Sequence, residues 1–430
     1  MNIIILTRSA LNNDDNMGNT IAHLFYGHND VSIHSIFMRS ESYKNNICKT
    51  VYQIPEGLLI NKFLKFSECG CEIKNIKNAI NIKTKNREEN VEKERYDFAK
   101  KYNLSLFWFF REFIWSFSKW KNKTFEEYLV KTKPDVIFMP SFNCWYPYKI
   151  LEYVERITHA KIILYHVDDN YSLKQFHISP FYWIYRLNLR RWIKKSVRMS
   201  VLNYCISDMQ VSEYEKSFGV KCKLLQKPIT TRIINKNNTM NYPLKLVFTG
   251  NLSSGRWKTL ELIGKALSKI NKNCIRAQLF IYSGTLLTPR MRKALEIKNS
   301  VIYMGKVPAS AINKIQHDAD ILIHAESFSF RDKLEVRLSF STKIIDYLSS
   351  GKCILAVGPA DIASIDFFVK NNIGYVICNK NNLAENINKF INDNKKIAKV
   401  TDRIIEFQNE MFDKNIKREN FIDEIRKVLL

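Results

Sequence analysis

The 430-residue sequence lacks the long apolar runs that mark membrane-spanning helices and secretory signals. No stretch approaches the roughly 18 consecutive apolar residues of a spanning helix. The first apolar run, residues 3–6, is shorter than the roughly 7–15 residues of a signal-peptide core, and no basic segment precedes it. We therefore expect neither a transmembrane helix nor a cleaved secretory signal.

The number and spacing of the cysteines suit neither a metal site nor a disulfide framework. The nine cysteines are an odd number, and Cys69 and Cys71, the nearest two, have one residue between them. Zinc-binding pairs usually have two or more. This pattern indicates reduced thiols in a cytosolic protein. At 430 residues the chain is long enough for two or three domains with full hydrophobic cores, so it does not depend on disulfides.

Acidic residues are also scarce: 42 Asp and Glu stand against 67 Lys and Arg, which gives a net charge of +25. Such an excess in a chain that is 13% aromatic indicates a polyanionic partner, either nucleic acid or an anionic membrane. No zinc-finger, helix-turn-helix or RNP signature accompanies the charge, so we expect no nucleic acid partner.

What the sequence does contain is a repeated alternation of buried strands and helices. A strand over 2–6, a helix that starts near Gly18 and a strand over 31–37 form a βαβ unit, which predicts a parallel sheet. The same alternation returns over 134–205. It then restarts after residues 231–241, the best linker in the chain because they are polar and lack periodicity.

This arrangement predicts an α/β protein with two Rossmann-like, doubly wound domains that face a cleft. We expect the first domain to span 1–235 and the second 236–430, with the last helix able to pack back on the first. In such sheets, ligands bind beyond the carboxyl ends of the strands, where helix N-termini offer free N–H groups. The loops at those ends are therefore the places to search for a site.

One such loop in the second half begins with Gly250 and leads into a helix that carries Arg256 and Lys258. Its small residues allow a close approach of the backbone to a ligand, and the two cations could neutralise phosphate oxygens. A plain turn is the commoner explanation of two glycines and two cations in a loop.

A second loop leads into the helix that follows Ser341. Ser341 and Thr342 can cap this helix, so that backbone amides, two hydroxyls and Lys343 would converge on one point. That assembly suits a diphosphate, and the acceptor-only carboxylate of Asp346, one turn further on, suits a ribose diol. The alternative is an amphipathic helix with an ordinary cap and an exposed acid.

The run FSTKIIDYLSSGKCIL over 340–355 resembles the donor-binding domain of GT-B glycosyltransferases, especially the bacterial group 1 (family 4-like) enzymes of capsule and O-antigen assembly. FTGNL over 248–252 and YCIS over 204–207 are also similar to that superfamily. The likeness covers about 200–380 and extends less closely to 1–40. It is absent over about 60–130.

The resemblance implies a nucleotide-sugar donor held by the second half, with no metal or other cofactor required. It places Asp346 at the ribose and Arg256 and Lys258 near the diphosphate. The start of the phosphate-facing helix falls at Ser341, Thr342 and Lys343. In the first half, Gly18 corresponds to the family's glycine loop beneath the donor phosphates.

One departure from the family concerns the sugar contact. The family has a glutamate eight positions before the ribose-binding acid, where this sequence has Leu338. Glu326 or Glu335 would replace it, and we favour Glu326 as a catalytic group because it directly follows a strand. The retaining stereochemistry that is usual for the family depends on this replacement.

A second candidate catalytic group follows the strand that ends near residue 165. His166 and Asp168 are two positions apart in an extended chain, so they would point the same way and could act together as a base or in positioning the acceptor. A structural histidine beside a solvated aspartate is an equal alternative. Asp318 and Asp320 have the spacing of a metal-binding DxD motif, but they precede their strand, so we expect no metal there.

The charge excess has one clear concentration, over 181–198, where six basic residues occur without an acid. A helical wheel places apolar residues, including Tyr185, Leu189 and Ile193, on one side and the cations on the other. This is the pattern of an interfacial helix. Membrane contact is therefore predicted for Arg190, Arg191, Trp192, Lys194 and Lys195. The aromatic stretch 104–120 is a weaker candidate, since such stripes are usually core.

Together these features predict a cytoplasmic GT-B glycosyltransferase, bound peripherally to the anionic inner face of the plasma membrane. It would move a sugar from a nucleotide diphosphate to a hydroxyl of a polyprenyl-diphosphate-linked or other glycan acceptor. The cations, joined by Arg337, would stabilise the leaving diphosphate. Two alternatives stay open: a GT-B nucleotide-sugar epimerase, and a non-catalytic membrane- or nucleic-acid-binding protein on a degenerate GT-B fold.

Overall fold

The chain folds into two compact α/β units, of which the first comprises Met1–Leu225 and Phe421–Leu430 and the second Gln226–Asn420. The computed structural model describes residues 1–12, 16–25, 30–43, 47–63, 67–73, 105–229, 231–233, 240–417 and 421–430.

The first unit is built on an eight-stranded sheet in the order β4-β3-β2-β1-β5-β6-β7-β8, parallel throughout except for the antiparallel β3–β4 pair. Its strands are β1 Asn2–Thr7, β2 Ser32–Phe37, β3 Thr50–Gln53, β4 Cys71–Glu72, β5 Val136–Pro140, β6 Lys161–His166, β7 Ser200–Cys205 and β8 Lys223–Leu224. Its helices up to β8 are α1 Asn16–Phe25, α2 Glu56–Phe63, α3 Ser105–Phe117, α4 Lys123–Thr132, α5 Tyr146–Thr158, α6 Pro180–Met199 and α7 Asp208–Phe218.

The second unit is built on a six-stranded sheet in the order β11-β10-β9-β12-β13-β14, and all its strand pairs are parallel. Its strands are β9 Leu244–Thr249, β10 Ala277–Tyr282, β11 Val301–Gly305, β12 Ile321–Ala325, β13 Cys353–Val357 and β14 Tyr375–Ile377. Its helices are α8 Arg256–Ile270, α9 Pro289–Leu295, α10 Ala309–His317, α11 Phe330–Val336, α12 Lys343–Ser350, α13 Ala363–Lys370, α14 Leu383–Ile391 and α15 Asn394–Lys417, with a 3₁₀ turn at Lys380–Asn382.

The central strands of both sheets are continuous apolar runs because helices cover both faces of a parallel sheet. Every residue of β5, β12 and β13 is buried. Leu246, Leu260 and Leu279 are among the buried side chains that join the second sheet to its helices. The prediction of an α/β protein with two parallel, βα-repeating sheets is confirmed.

The chain's last helix, α16 Phe421–Leu429, belongs to the first unit. The ring of Phe421 packs on Phe25 and Phe138, with ring centroids 5.2 and 5.7 Å apart. The hydroxyl of Tyr204 donates a hydrogen bond to Glu424, at 2.5 Å. These contacts attach the end of the chain to the first unit.

The boundary between the units lies between Leu225 and Gln226, ten residues before position 235. The polar stretch 231–241 therefore lies within the second unit, although its residues 234–239 are outside the described part of the chain. The N–H of Ile233 donates to Asn409 at 3.1 Å, and Gln408 donates to the carbonyl of Thr231. These bonds attach the stretch to α15, which a lack of periodicity in the sequence could not reveal.

Candidate functional site

The second sheet brings three loops together at its carboxyl edge. The strands β9, β12 and β13 are neighbours in the sheet and end at Thr249, Ala325 and Val357. The chain after β9 leads into α8, and the chain after β12 passes through α11 to α12. The loops that sequence reasoning selected for donor binding therefore converge at one edge.

The loop before α8 passes close under neighbouring side chains. A Cβ atom at position 250 would lie 2.9 Å from Cε of Lys343, so the lysine side chain runs directly over Gly250. Gly255 has a φ of +71°, and a Cβ atom there would collide with the carboxylate of Asp332. Because neither glycine carries a side chain, the backbone of this loop lies directly against Lys343 of α12 and Asp332 of α11.

Arg256, the first residue of α8, is fixed by two acceptors. Its guanidinium donates to Glu326 Oε1 at 3.0 Å and to Asn251 Oδ1 at 2.9 Å. The Arg256 side chain is 17% exposed and that of Glu326 only 2%. The guanidinium thus has a defined orientation at the surface, and its partner carboxylate lies beneath it.

Glu326 is held through its backbone as well as its side chain. Its N–H donates to the carbonyl of Val357 at 2.9 Å, and its carbonyl accepts from Thr259 at 2.8 Å. Ser364 donates to Oε1 at 3.4 Å, whereas buried Oε2 has no hydrogen-bond partner among the described residues. One oxygen of this candidate catalytic carboxylate is therefore unsatisfied, and it is closed to solvent.

His324 is a member of this cluster that sequence reasoning missed. Its Nε2 lies 3.6 Å from Glu326 Oε1, and the residue is buried. Burial, with further contributions from the cations Arg256 and Lys343, lowers the pKa of His324 to about 3, so the ring is neutral near pH 7. The available signal was its place two residues before Glu326, since alternate residues of a strand share a face.

Lys343 brings a second cation to the same place. Burial and the charge of Arg256 lower its pKa, while Asp346 and Glu326 oppose the shift. Asp346 also accepts from Lys227 at 2.8 Å, a contact that sequence reasoning did not anticipate because 119 residues separate the two. Two cations held close together favour an anion beside them, because an anion offsets their repulsion.

The start of α12 differs from the expected cap. Thr342 occupies the N-cap position with φ and ψ of −58° and −22°, and its side chain makes no cap hydrogen bond. The carbonyls of Ser341 and Thr342 accept from the amides of Ile344 and Ile345 in a tight first turn. Because the backbone is already helical at Thr342, its hydroxyl does not cap the helix.

The remaining residues predicted in this half are less closely joined to the cluster. Lys258 donates to Asp332 at 2.7 Å, and Arg337 is half-buried on the segment between α11 and α12. Glu335 is exposed on α11, and Leu338 is fully buried as a core residue. Asp320 accepts from the backbone N–H of Lys245 at 2.6 Å, so it binds the start of β9 rather than its carboxyl end.

In the first unit, Gly18 lies in the first turn of α1, against the loop that follows β1. A Cβ atom at this position would lie 2.5 Å from the carbonyl oxygen of Asn12, so the close packing there requires glycine. Gly18 is thus near the carboxyl end of β1, at the same kind of sheet edge as Gly250 in the second unit.

The structure separates His166 from Asp168. His166 is the last residue of β6 and is buried, with Nε2 at 3.3 Å from Asn203 Oδ1 and its ring against Tyr214. Burial lowers the pKa of His166 to about 4. Asp168 is exposed, because the strand ends before it and the alternation of side chains does not extend to it. The structural alternative for His166 accounts for these contacts.

The helix predicted to contact a membrane is α6, and its apolar side faces inwards. Tyr185, Leu189 and Ile193 are buried in the first unit. A wheel drawn from sequence cannot tell a core-facing side from a lipid-facing one. Within the described ranges, no helix is long and apolar enough to cross a membrane.

The cations of α6 divide into two groups. Arg191, Lys194 and Lys195 are exposed, whereas Arg190 donates to the carbonyl of Tyr171 and stacks on its ring. Trp192 is half-buried, with the amines of Lys149 and Lys195 5.7 and 5.2 Å from its ring centroid. Arg186, also counted on the cationic side, is buried and donates to the carbonyls of Asp169 and Ser172.

Solved structures with the same fold include several sugar-transferring enzymes. HepE from Anabaena, in complex with UDP and glucose, aligns with a TM-score of 0.57 at 12% identity, over 97% of this chain and 99% of that one. Sucrose-phosphate synthase from Thermosynechococcus elongatus gives 0.57 at 10% identity, over 96% and 95%. The UDP-forming trehalose-phosphate synthase from Burkholderia vietnamiensis gives 0.56 at 8% identity, over 99% and 100%.

At these identities the likeness establishes the fold, which is that of GT-B glycosyltransferases. No protein-family model matches the sequence, and no curated protein matches it.

Proposed function

We propose that this chain is a glycosyltransferase that moves a sugar from a nucleotide diphosphate to a hydroxyl group of a glycan acceptor. The observation that carries the proposal is the convergence of Arg256 and Lys343 beside Gly250, at the carboxyl edge of the second sheet. That edge is where ligands bind in doubly wound folds. The UDP complex of HepE and the UDP-forming synthase, which share the fold, support a nucleotide-sugar donor.

The donor diphosphate would lie between the two cations. Burial and then repulsion from Arg256 lower the pKa of Lys343, and the negative charge of the diphosphate would offset the repulsion. The planar guanidinium of Arg256 can bind two phosphate oxygens at once, and Lys343 acts as a point charge. The first amides of α12 and the hydroxyls of Ser341 and Thr342 would add hydrogen bonds at the same place.

Catalysis would consist mainly of charge stabilisation. As the bond between the sugar and the diphosphate breaks, negative charge grows on the leaving group, and cations already in position stabilise it without rearranging. Lys258 and Arg337 would extend this positive field. We propose that no metal is required and that the reaction retains the configuration of the sugar.

Two carboxylates would orient the donor. Once the surrounding loops move to expose it, unsatisfied Oε2 of Glu326 would accept a hydrogen bond from a sugar hydroxyl while Oε1 continues to hold Arg256. Asp346 would bind the ribose diol and exchange its contact with Lys227 for the two hydroxyls. In the first unit, we propose exposed Asp168 as the group that positions the acceptor.

We propose that the acceptor is a polyprenyl-diphosphate-linked glycan and that the product enters a surface polysaccharide, either capsule or O-antigen. Such an acceptor lies in the inner leaflet, so the enzyme would act at the cytoplasmic face of the plasma membrane. The exposed cations of α6 and the net charge of +25 support this location.

The donor proposal is tested by thermal unfolding with a panel of UDP-, GDP- and dTDP-sugars. A donor present at about a hundredfold over its Kd should raise the Tm of the second unit by roughly 5 °C. Asp346→Ala with Lys343→Ala should remove the shift. The matched control is Lys265→Ala, which removes an exposed cation from α8 that pairs with Glu261.

No shift with any donor would contradict the transferase and favour a non-catalytic protein on this fold. A full shift in the double variant would contradict the site. For the active enzyme, the product's anomeric proton signal should show the configuration of the donor sugar. Interconversion of two nucleotide sugars without an acceptor would instead identify an epimerase.

A further inference from the structure

Helix α3 carries an apolar face that stays largely exposed in the folded unit. Phe107, Phe110, Phe113 and Phe117, called here the phenylalanine face, are between 47% and 60% exposed. Their spacing of three, three and four residues places them on one side of the helix. Elsewhere on α3, the buried side chain of Trp115 stacks on Tyr146, at 4.3 Å between ring centroids. Within the phenylalanine face, Phe113 also contacts Phe63 of α2, at 6.0 Å between ring centroids.

A second exposed apolar surface adjoins α3. Trp108 contacts Tyr182 and Tyr185 of α6, with ring centroids 6.1 and 5.5 Å apart, so the two helices pack together. The exposed apolar residues of α6 and of the loop before it are Phe181, Ile184 and Leu187, and Leu173, Phe176 and Ile178. Exposed apolar surface of this extent in one region typically marks a membrane or protein contact.

Cations without acidic partners border this apolar surface. The exposed side of α6 that carries Ile184 and Leu187 continues as Arg191, Lys194 and Arg198, and Lys119 and Lys121 follow α3 directly. None of these five cations forms an ion pair with another described residue. Over 105–122 and 173–199 the only acid is Glu112, and it is buried.

We propose that this surface docks on an anionic lipid bilayer. The phenylalanine face and the apolar residues of α6 would enter the boundary between headgroups and acyl chains, while the bordering cations contact lipid phosphates. The charge favours a bilayer over a second copy of the chain, because a symmetric contact would place these cations beside their own equivalents. The inference rests on the proposed function only in that a lipid-linked acceptor gives the contact its purpose.

This surface differs from the one that the sequence predicted. There, lipid contact was assigned to the side of α6 that carries Tyr185, Leu189 and Ile193, and that side is buried. The cations Arg191 and Lys194 belong to both the surface predicted from the sequence and the one proposed here. The apolar contribution instead comes from α3 and from the first half of α6.

The test is co-sedimentation of the full chain with vesicles of equal parts phosphatidylglycerol and phosphatidylcholine, and with vesicles of phosphatidylcholine alone. The wild-type chain should bind the anionic vesicles at least tenfold more tightly, and added salt should weaken the binding. Phe110→Ser, Phe113→Ser and Phe117→Ser combined should reduce binding to both kinds of vesicle by at least tenfold. Arg191→Glu with Lys194→Glu should abolish the preference for anionic lipid.

The matched control is Leu286→Ser with Met304→Ser, which removes two exposed apolar side chains from the second unit and should leave vesicle binding unchanged. Unaltered binding by a folded triple phenylalanine variant would overturn the proposal, as would wild-type chain that binds neither vesicle. A wild-type dimer that becomes a monomer in the triple variant, without any vesicle binding, would assign the surface to self-association.

Donor-induced thermal stabilisation, measured on the same variants, separates this inference from the proposed function. The phenylalanine and charge variants should retain it. A variant that loses vesicle binding but still responds to the donor has lost only the docking surface. A wild-type chain that shows no donor response would contradict only the proposed function.

Discussion

The carboxyl edges of the two sheets are built alike but are filled with different chemistry. In the second unit, Arg256, Lys343 and Glu326 lie together, and one carboxylate oxygen has no partner among the described residues. In the first unit, the last residue of β6 is His166, neutral and enclosed by Asn203 and the rings of Tyr214 and Phe218. At one edge two cations lie beside a carboxylate, and at the other the histidine that ends β6 is part of the core.

On the exposed surface, the distinctive feature belongs to the first unit instead. Phe110, Phe113 and Phe117 are exposed beside cations that have no acidic partner among the described residues. A parallel sheet fold fixes where a site can be, but side chains decide whether that place binds a ligand. The contrast agrees with the proposed division of tasks, in which the donor would bind the second unit and lipid the first.

The largest expected effect comes from Arg256. Arg256→Lys keeps the charge but loses the two-pronged geometry toward Glu326 and a phosphate, so kcat should fall by roughly 10²–10³-fold. His166→Gln in the first unit should leave kcat within about threefold, since a buried neutral ring does not reach the reacting atoms. Initial rates at pH 7.5 on folded variants provide the measurement. A larger loss in the His166 variant would reverse the comparison of the two edges.

A second prediction concerns the glycine that shapes the donor loop. Gly255→Ala should destabilise the second unit by roughly 2–4 kcal/mol, because φ of +71° disfavours alanine and the methyl group would collide with Asp332. Gly305→Ala is the matched control in the same unit, since its φ is +74° but nothing lies within 4 Å of an added Cβ. It should cost only about 1 kcal/mol.

Urea unfolding, followed through the ring-proton signals of His324 in the second unit, measures both glycine variants. Equal losses of stability would mean that the loop can move away from α11. The contact between Gly255 and Asp332 would then not fix the position of Arg256.

The strand pattern could be predicted closely from the sequence, and the reason is physical. Strands buried on both faces, such as Cys353–Val357, are apolar runs with sharp ends. Local chemistry also located most of the donor loop, because Gly250 and Lys343 lie beside strand and helix ends. These signals need only neighbours in the chain.

What the sequence could not supply are contacts between distant residues and the direction that a helix faces. The pairing of Arg256 with Glu326 spans 70 residues, and that of Lys227 with Asp346 spans 119. Amphipathic periodicity shows that α6 has an apolar side, but core and lipid are both apolar. The sequence therefore favours a core position for the phenylalanines of α3, whereas the structure leaves them exposed.

A smaller effect is expected from acidification of the first unit. The folded pKa of His166, about 4, lies below the ordinary value of 6.5, so the unfolded chain takes up the proton first. Stability is therefore complete above about pH 6.5 and falls as the pH drops toward 4. His166 alone should account for roughly 2 kcal/mol between pH 6.5 and 5.

His166→Gln should flatten this part of the stability profile. The pH dependence that remains should come from His34, whose pKa is also lowered to about 4. Tryptophan fluorescence during urea unfolding reports chiefly on this unit, which contains all the tryptophans except Trp257. An unchanged slope in the variant would show that His166 is solvated rather than enclosed.

The smallest effect concerns the two buried histidines themselves. The pKa of His324 is lowered by burial and also by Arg256 and Lys343, whereas burial alone lowers that of His166. Arg256→Met with Lys343→Met should therefore raise the pKa of His324 and leave that of His166 in place, as measured from the histidine ring-proton signals from pH 8 down to about pH 3. UDP bound to the wild type should shift His324 in the same direction, because its diphosphate offsets the same two cations. Equal pKa shifts in both histidines would mean that the substitutions disturb the whole fold rather than remove two charges beside His324. The two sheet edges would then not differ in their electrostatics.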